Sequence, residues 1–125
     1  MAIQNRDVYD RVIAFYRDVI GLPVLRSWEK PPRHVTMLDI GNCVLEVVFG
    51  AEGKETGVFS HIALAVKRPE EVDAFLDRCV AAGCTLISPA ENMDVTEEES
   101  GNVFRFRKAF CQGFAGETLE FFCER

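Results

Sequence analysis

The chain has 125 residues, a formal net charge of −6 and an isoelectric point near 4.9. Its 48% hydrophobic and 27% charged composition is that of one globular domain, which excludes long-range disorder, and no apolar run approaches the roughly 18 residues of a membrane span. The acidic balance argues against nucleic acid as the main partner, because phosphate binding needs a surplus of Lys and Arg.

The first residues, Met1 to Asp7, contain no apolar signal-peptide core, so the cytoplasm is the expected location and no membrane partner is expected. The first periodic segment covers residues 8–20. Val8, Val12, Phe15, Tyr16 and Val19 recur at helical spacing and predict one buried face. Asp7 is the expected N-cap, Gly21 the left-handed terminator, and Pro23 stops any continuation. The period then changes to that of strands, at 24–28, 34–40 and 44–49. The Gly41-Asn42 pair predicts a tight hairpin before the third.

A further strand is expected at 61–66 and a second helix at 69–82. Pro69 suits the first helical position, Glu70 and Glu71 complement the positive helix end, and Gly83 ends it. Strands are predicted again at 85–88, 103–110 and 118–123. The acidic stretch Glu91, Asp94, Glu97, Glu98, Glu99 reads as a solvated loop or lid edge. The cysteines, Cys43, Cys79, Cys84, Cys111 and Cys123, are odd in number and include no Cys-x-x-Cys. Reduced, mostly buried thiols are expected rather than a zinc ribbon or redox motif.

The element order repeats. Each half reads strand, helix, glycine and three strands, with modules at about 1–50 and 58–125, and the first half has only residues 2–5 for its opening strand. Period-2 geometry sorts the faces. Glu46 shares a face with Val44 and Val48, Glu120 with Thr118 and Phe122, and His61 with Ala63 and Ala65. A carboxylate within an apolar strand is costly to bury unless a cation, a metal or several donors compensate it. Two such glutamates at matching places in a repeat, with a histidine, form a candidate metal set for zinc, nickel, cobalt or iron. The plainer reading has both glutamates facing water and His61 as an ordinary residue at a strand start.

Three runs carry a resemblance that spans nearly the whole chain. Residues Phe15-Tyr16-Arg17-Asp18-Val19-Ile20-Gly21-Leu22, Ser60-His61-Ile62-Ala63-Leu64-Ala65-Val66 and Gly116-Glu117-Thr118-Leu119-Glu120-Phe121-Phe122 resemble signatures of the vicinal oxygen chelate superfamily. It includes glyoxalase I, bleomycin and fosfomycin resistance proteins and extradiol dioxygenases. The resemblance implies an α+β fold: paired βαβββ modules forming a curved mixed sheet around a cup, in a homodimer.

It also implies a divalent metal (nickel, zinc, manganese or iron) with Glu46, His61 and Glu120 as ligands. The family's fourth ligand, a histidine on the opening strand, maps just before Met1. Either the true start lies upstream or this member lacks a complete site. The implied chemistry is that of a glyoxalase-like lyase or isomerase on a small oxygenated metabolite, through a metal-stabilised enediolate. Glu120 or Glu46 would be ligand and proton shuttle.

His34 is a candidate substrate contact. Arg105 and Arg107, with Arg6, are candidates for holding an anionic group. Cys111 has no mapped base beside it and so no expected nucleophilic role. The alternative is a metal-free, drug-sequestering binding protein, with Phe104, Phe106, Phe110 and Phe114 as stacking surface. Thiol transfer of the fosfomycin-resistance kind is less favoured, since no potassium-loop or thiol-site pattern is evident.

Overall fold

A computed structural model describes residues 1–52, 61–96 and 101–125. The chain divides into two compact units, Met1–Phe59 and Ser60–Arg125.

In the first unit, β1 (Ala2–Ile3) is followed by α1 (Arg6–Ala14), a π-helical segment (Phe15–Ile20), β2 (Val24–Lys30), β3 (Arg33–Asp39) and β4 (Val44–Phe49). The sheet order is β1-β4-β3-β2. β1 runs parallel to β4, and the other pairs are antiparallel.

The second unit repeats the plan with β5 (Ile62–Ala65), α2 (Pro69–Ala81), β6 (Thr85–Thr96), β7 (Val103–Gln112) and β8 (Thr118–Glu124). Its order is β5-β8-β7-β6, and β5 is parallel to β8. Each unit is a βαβββ module, so the chain has the expected paired α+β architecture.

α1 starts earlier than its apolar period suggests. The cap is Asn5, not Asp7: the Asn5 side-chain oxygen accepts from the Val8 N–H at 3.1 Å. Asp7 lies inside the first turn, where its charge favours the positive helix end. The predicted helix also changes type at Phe15. Wider π turns place residues five apart on one side, and Phe15, Tyr16 and Ile20 are all buried. Gly21, at φ 89°, closes the segment as expected, and the Gly21 and Leu22 N–H groups both donate to the Tyr16 carbonyl at 3.1 and 2.9 Å. In α2, Pro69 opens the helix, and the Glu71 carboxylate accepts from the Arg68 N–H at 3.1 Å.

The larger correction is β6. Its predicted end at residue 88 is only a register shift, and the strand runs on to Thr96. Pro89 sits at that irregularity on an edge strand, where a missing N–H is tolerated. The acidic residues expected in a loop are therefore on a ladder and are answered across it. Lys108 Nζ is 2.9 Å from Glu91 Oε1, and Arg105 and Arg125 reach Asp94 at 3.5 and 3.1 Å. Glu97, Glu98 and Glu99 lie outside the described residues.

Each helix covers one face of its own sheet. Tyr9 of α1 meets His34 and Phe49 edge-on and bonds Thr36. In the second module Phe75 stacks on Phe121 at 5.5 Å over a core that includes Val72, Leu76, Ala109 and Leu119. The opposite faces carry the residues sorted out from the sequence. Glu46 lies across from Met37, and Glu120 lies between Ala63 and Phe110.

Candidate functional site

The second module gathers a pair. β8 is registered so that Glu120 lies beside Ala63 on one side and Phe110 on the other. Ala63 has too little side chain to cover the carboxylate. His61, two residues ahead of Ala63, reaches over with Nε2 at 3.1 Å from Glu120 Oε2. Phe110 holds the imidazole edge-to-face at 5.7 Å and 88°. The Glu120 side chain is 14% exposed and that of His61 36%, so the carboxylate is the enclosed partner and the imidazole the accessible one. Glu120 opens on a cavity of about 330 Å³, lined also by Ala63, Phe106, Phe122 and Glu124.

Lys108 shares this face with Phe106 and Phe110, by the alternation along β7. Its Nζ lies 5.1 Å from the Phe110 ring centroid while bound to Glu91. Sequence reasoning passed over Lys108. Its period-2 spacing from the two phenylalanines was the signal.

In the first module Glu46 occupies the matching place on β4, on the helix-free face and exposed. β1 pairs beside β4 with Ala2 opposite Val48 and Ile3 opposite Phe49. The Met1 amino group donates to the Glu46 carbonyl.

The other expected substrate contacts lie on the helix-covered faces. Arg107 makes a two-pronged pair with Asp73 of α2, both bonds at 2.6 Å, and donates to Asn92 at 3.1 Å. The guanidinium holds the Asp73 carboxyl below its ordinary range, chiefly through those bonds. Arg105 has the same alternation as Arg107 and pairs with Asp94. His34 lies against Tyr9 of α1. Within their own modules, then, none of the three shares the face of Glu46 or Glu120. Arg6 pairs with Asp10 on the helix surface. Phe106 and Phe110 are on the cavity side of β7, Phe114 packs near Gly83, and the Phe104 side chain lies outside the described residues.

Four of the five thiols are buried and only Cys43 is exposed. Cys79, Cys84 and Cys111 form a hydrogen-bonded group between α2 and the sheet. Hydrogen bonding to Cys111 and burial push the Cys79 thiol up. Burial, then the charge of Cys111, pushes Cys84 up to about 12. The fully enclosed Cys111 thiol is shut off from solvent.

A family model described as the Glyoxalase/Bleomycin resistance protein/Dioxygenase superfamily matches residues 2–106. A search of curated proteins finds no match. Several solved structures share the fold. The fosfomycin resistance protein FosX from Listeria monocytogenes, complexed with Mn(II) and sulfate, is 14% identical with TM-score 0.68, over 98% of this chain and 86% of that one. A hypothetical protein from S. aureus, SA1046, is 19% identical with TM-score 0.64, over 98% and 91%. A glyoxalase family protein from Enterococcus faecalis is 22% identical with TM-score 0.58, over 100% and 94%.

Proposed function

Because the chain belongs to the Glyoxalase/Bleomycin resistance protein/Dioxygenase superfamily, we propose that it is a cytoplasmic, metal-dependent lyase or isomerase. Its substrate is a small oxygenated metabolite, and Glu46, His61 and Glu120 are its metal ligands. The observation that supports this reading is the His61–Glu120 pair, 3.1 Å apart at the edge of an open cavity.

An imidazole nitrogen beside a carboxylate oxygen is a donor set that suits zinc, nickel, manganese or iron. Among the described residues no three His, Cys, Asp or Glu side chains form a ready cluster. The pair supplies two of the proposed ligands, and Glu46 of the first module is proposed as the third from the family resemblance. A divalent ion bound there would supply Lewis acidity toward two neighbouring substrate oxygens.

The remaining work falls to the chain's own groups. Glu120, or Glu46 in its place, takes the proton from the carbon next to a carbonyl and returns it. Before an ion binds, His61 keeps the Glu120 carboxylate oriented through their contact. Phe106 and Phe122 restrict water around it.

Calorimetric titration of metal-stripped full-length protein with nickel and zinc tests the reading. Stoichiometric binding is expected in the wild type and its loss in His61→Ala and Glu120→Ala; a wild type that binds neither ion overturns it. The proposal includes a homodimer, which sedimentation would report as twice the chain mass of 14.1 kDa.

A second reading, ligand sequestration without chemistry, draws on the apolar part of the same cavity wall, Phe106 and Phe122. Aromatic ligand binding that is unchanged by chelator would favour it.

A further inference from the structure

A second cavity, of about 360 Å³, lies in the first module between α1 and the β2–β3 edge of the sheet. Its wall includes Arg6, Tyr9, Arg17, Ser27, His34 and Thr36. It is on the helix-covered face of β3, the opposite side of that sheet from Glu46.

Four side chains on two antiparallel strands meet here because the register sets Ser27 opposite Thr36 and Glu29 opposite His34. Ser27 Oγ is 2.9 Å from His34 Nε2. On the far side of the ring, His34 Nδ1 is 3.1 Å from Glu29 Oε1. A hydroxyl, an imidazole bonded through both nitrogens and a carboxylate form the sequence in which a base activates a nucleophile and a third group orients the base.

Behind Ser27 the network continues inward. Ser27 Oγ is 2.8 Å from Thr36 Oγ1, which is 2.6 Å from the Tyr9 hydroxyl. Burial holds the Tyr9 phenol above its ordinary range, so it stays protonated and can donate to Thr36. Thr36 then donates to Ser27, and Ser27 to His34. Ser27 also reaches the Val35 carbonyl at 3.0 Å; its single proton goes to one acceptor at a time, and Nε2 is the acceptor that can later give the proton back. Tyr9 and Thr36 are 2% and 4% exposed, which fixes the inner end of the network, while Ser27 is exposed to reagents. Arg6 and Arg17 line the same cavity, each paired with an aspartate, Arg6 with Asp10 and Arg17 with Asp18.

The geometry points to a serine-centred acyl-transfer site for small carboxylic esters, with Ser27 as nucleophile, His34 as general base and Glu29 as the residue that positions His34. Ser27 Oγ bonds to the ester carbonyl carbon as its proton passes to His34 Nε2. The tetrahedral adduct collapses, the bond to the alcohol oxygen breaks, and His34 returns the proton to the departing alkoxide. Water then attacks the acyl-serine with the same proton route, releasing the acid and restoring Ser27.

The test is reaction of the full chain with p-nitrophenyl acetate and with a fluorophosphonate, read by p-nitrophenol release and by peptide mass mapping. One adduct per chain is expected, on Ser27, at a rate indifferent to chelator; that indifference separates this site from the metal reading above. Ser27→Ala should abolish labelling, and His34→Gln should slow it by about 100-fold. Glu29→Gln should lower the acylation rate constant and leave KM unchanged; an unchanged rate constant overturns the positioning role of Glu29. Mapping the wild type decides the matter even if a variant folds poorly: no adduct above the uncatalysed rate, or an adduct elsewhere with Ser27 unmodified, overturns the proposal.

Discussion

The two modules share a topology and diverge where chemistry would sit. In the second, His61 stands ahead of a four-residue β5 and lies against Glu120. In the first, Glu46 at the matching place on β4 is exposed and lies across from Met37. Their interiors differ as well. The first core holds a polar bond, Tyr9 to Thr36, under its helix, while the second holds the thiols of Cys79, Cys84 and Cys111. One backbone plan thus carries two kinds of interior. Strand pairing sets the plan, and side-chain size and polarity set what fills it.

The largest test of this contrast is a cavity mutation in each core. Phe121→Ala removes a ring that is 1% exposed and stacked on Phe75, at an expected cost of about 3–5 kcal/mol. Leu38→Ala, fully buried in the first module, should cost about 2–5 kcal/mol. Urea unfolding followed by circular dichroism gives both values, and a loss under about 1 kcal/mol for either would show that core to be loosely packed.

Next comes the polar bond of the first core. Tyr9→Phe keeps the ring and deletes the hydroxyl that bonds Thr36 at 2.6 Å, so about 1 kcal/mol should be lost. The same denaturation measurement checks it, and an unchanged midpoint would mean that Ser27 alone satisfies Thr36.

Asp73→Asn probes the clamp between α2 and β7. The pair is partly exposed, 44% on the Asp73 side, and its contribution should be about 0.5–1 kcal/mol at neutral pH. The sign follows from the lowered carboxyl. Asp73 titrates below its ordinary value of 3.8 in the folded chain, so the stabilisation is complete above that value and is lost as pH falls through the lowered one. Wild type and Asp73→Asn should therefore converge in stability at strongly acidic pH; a gap that stays constant into acid would remove the ion pair as its cause.

The smallest effect concerns thiol access. In the native chain one thiol, Cys43, should react rapidly with a thiol-disulfide reagent, and in denaturant all five should react. Fast reaction of two or more native thiols would show that the second core opens.

Much of this organisation is legible in the sequence, for local reasons. Apolar spacing along residues 8–20 and 69–82 locates both helices, and Gly21 and Pro69 mark an end and a beginning. Strand alternation assigns Glu46 and Glu120 to the faces they occupy. The failures are places where a local signal meets a distant partner. Residues 91–96 look like loop because they are polar and acidic, yet Lys108 and Arg105 on β7 and Arg125 just past β8 pair with Glu91 and Asp94. Arg105 and Arg107 look available for a ligand until Asp94 and Asp73 come beside them.

By itself, then, the sequence determined the element order, the repeat and the face of each strand residue, because a period of 2 or 3.6 is a property of neighbours along the chain. The tertiary structure alone decided which faces the helices cover and how far β6 extends. It also decided which side chains meet: His61 with Glu120, and Ser27 with His34 and Glu29. Those meetings depend on register between strands, and register is set by turns and packing across the sheet rather than by any residue's own preference.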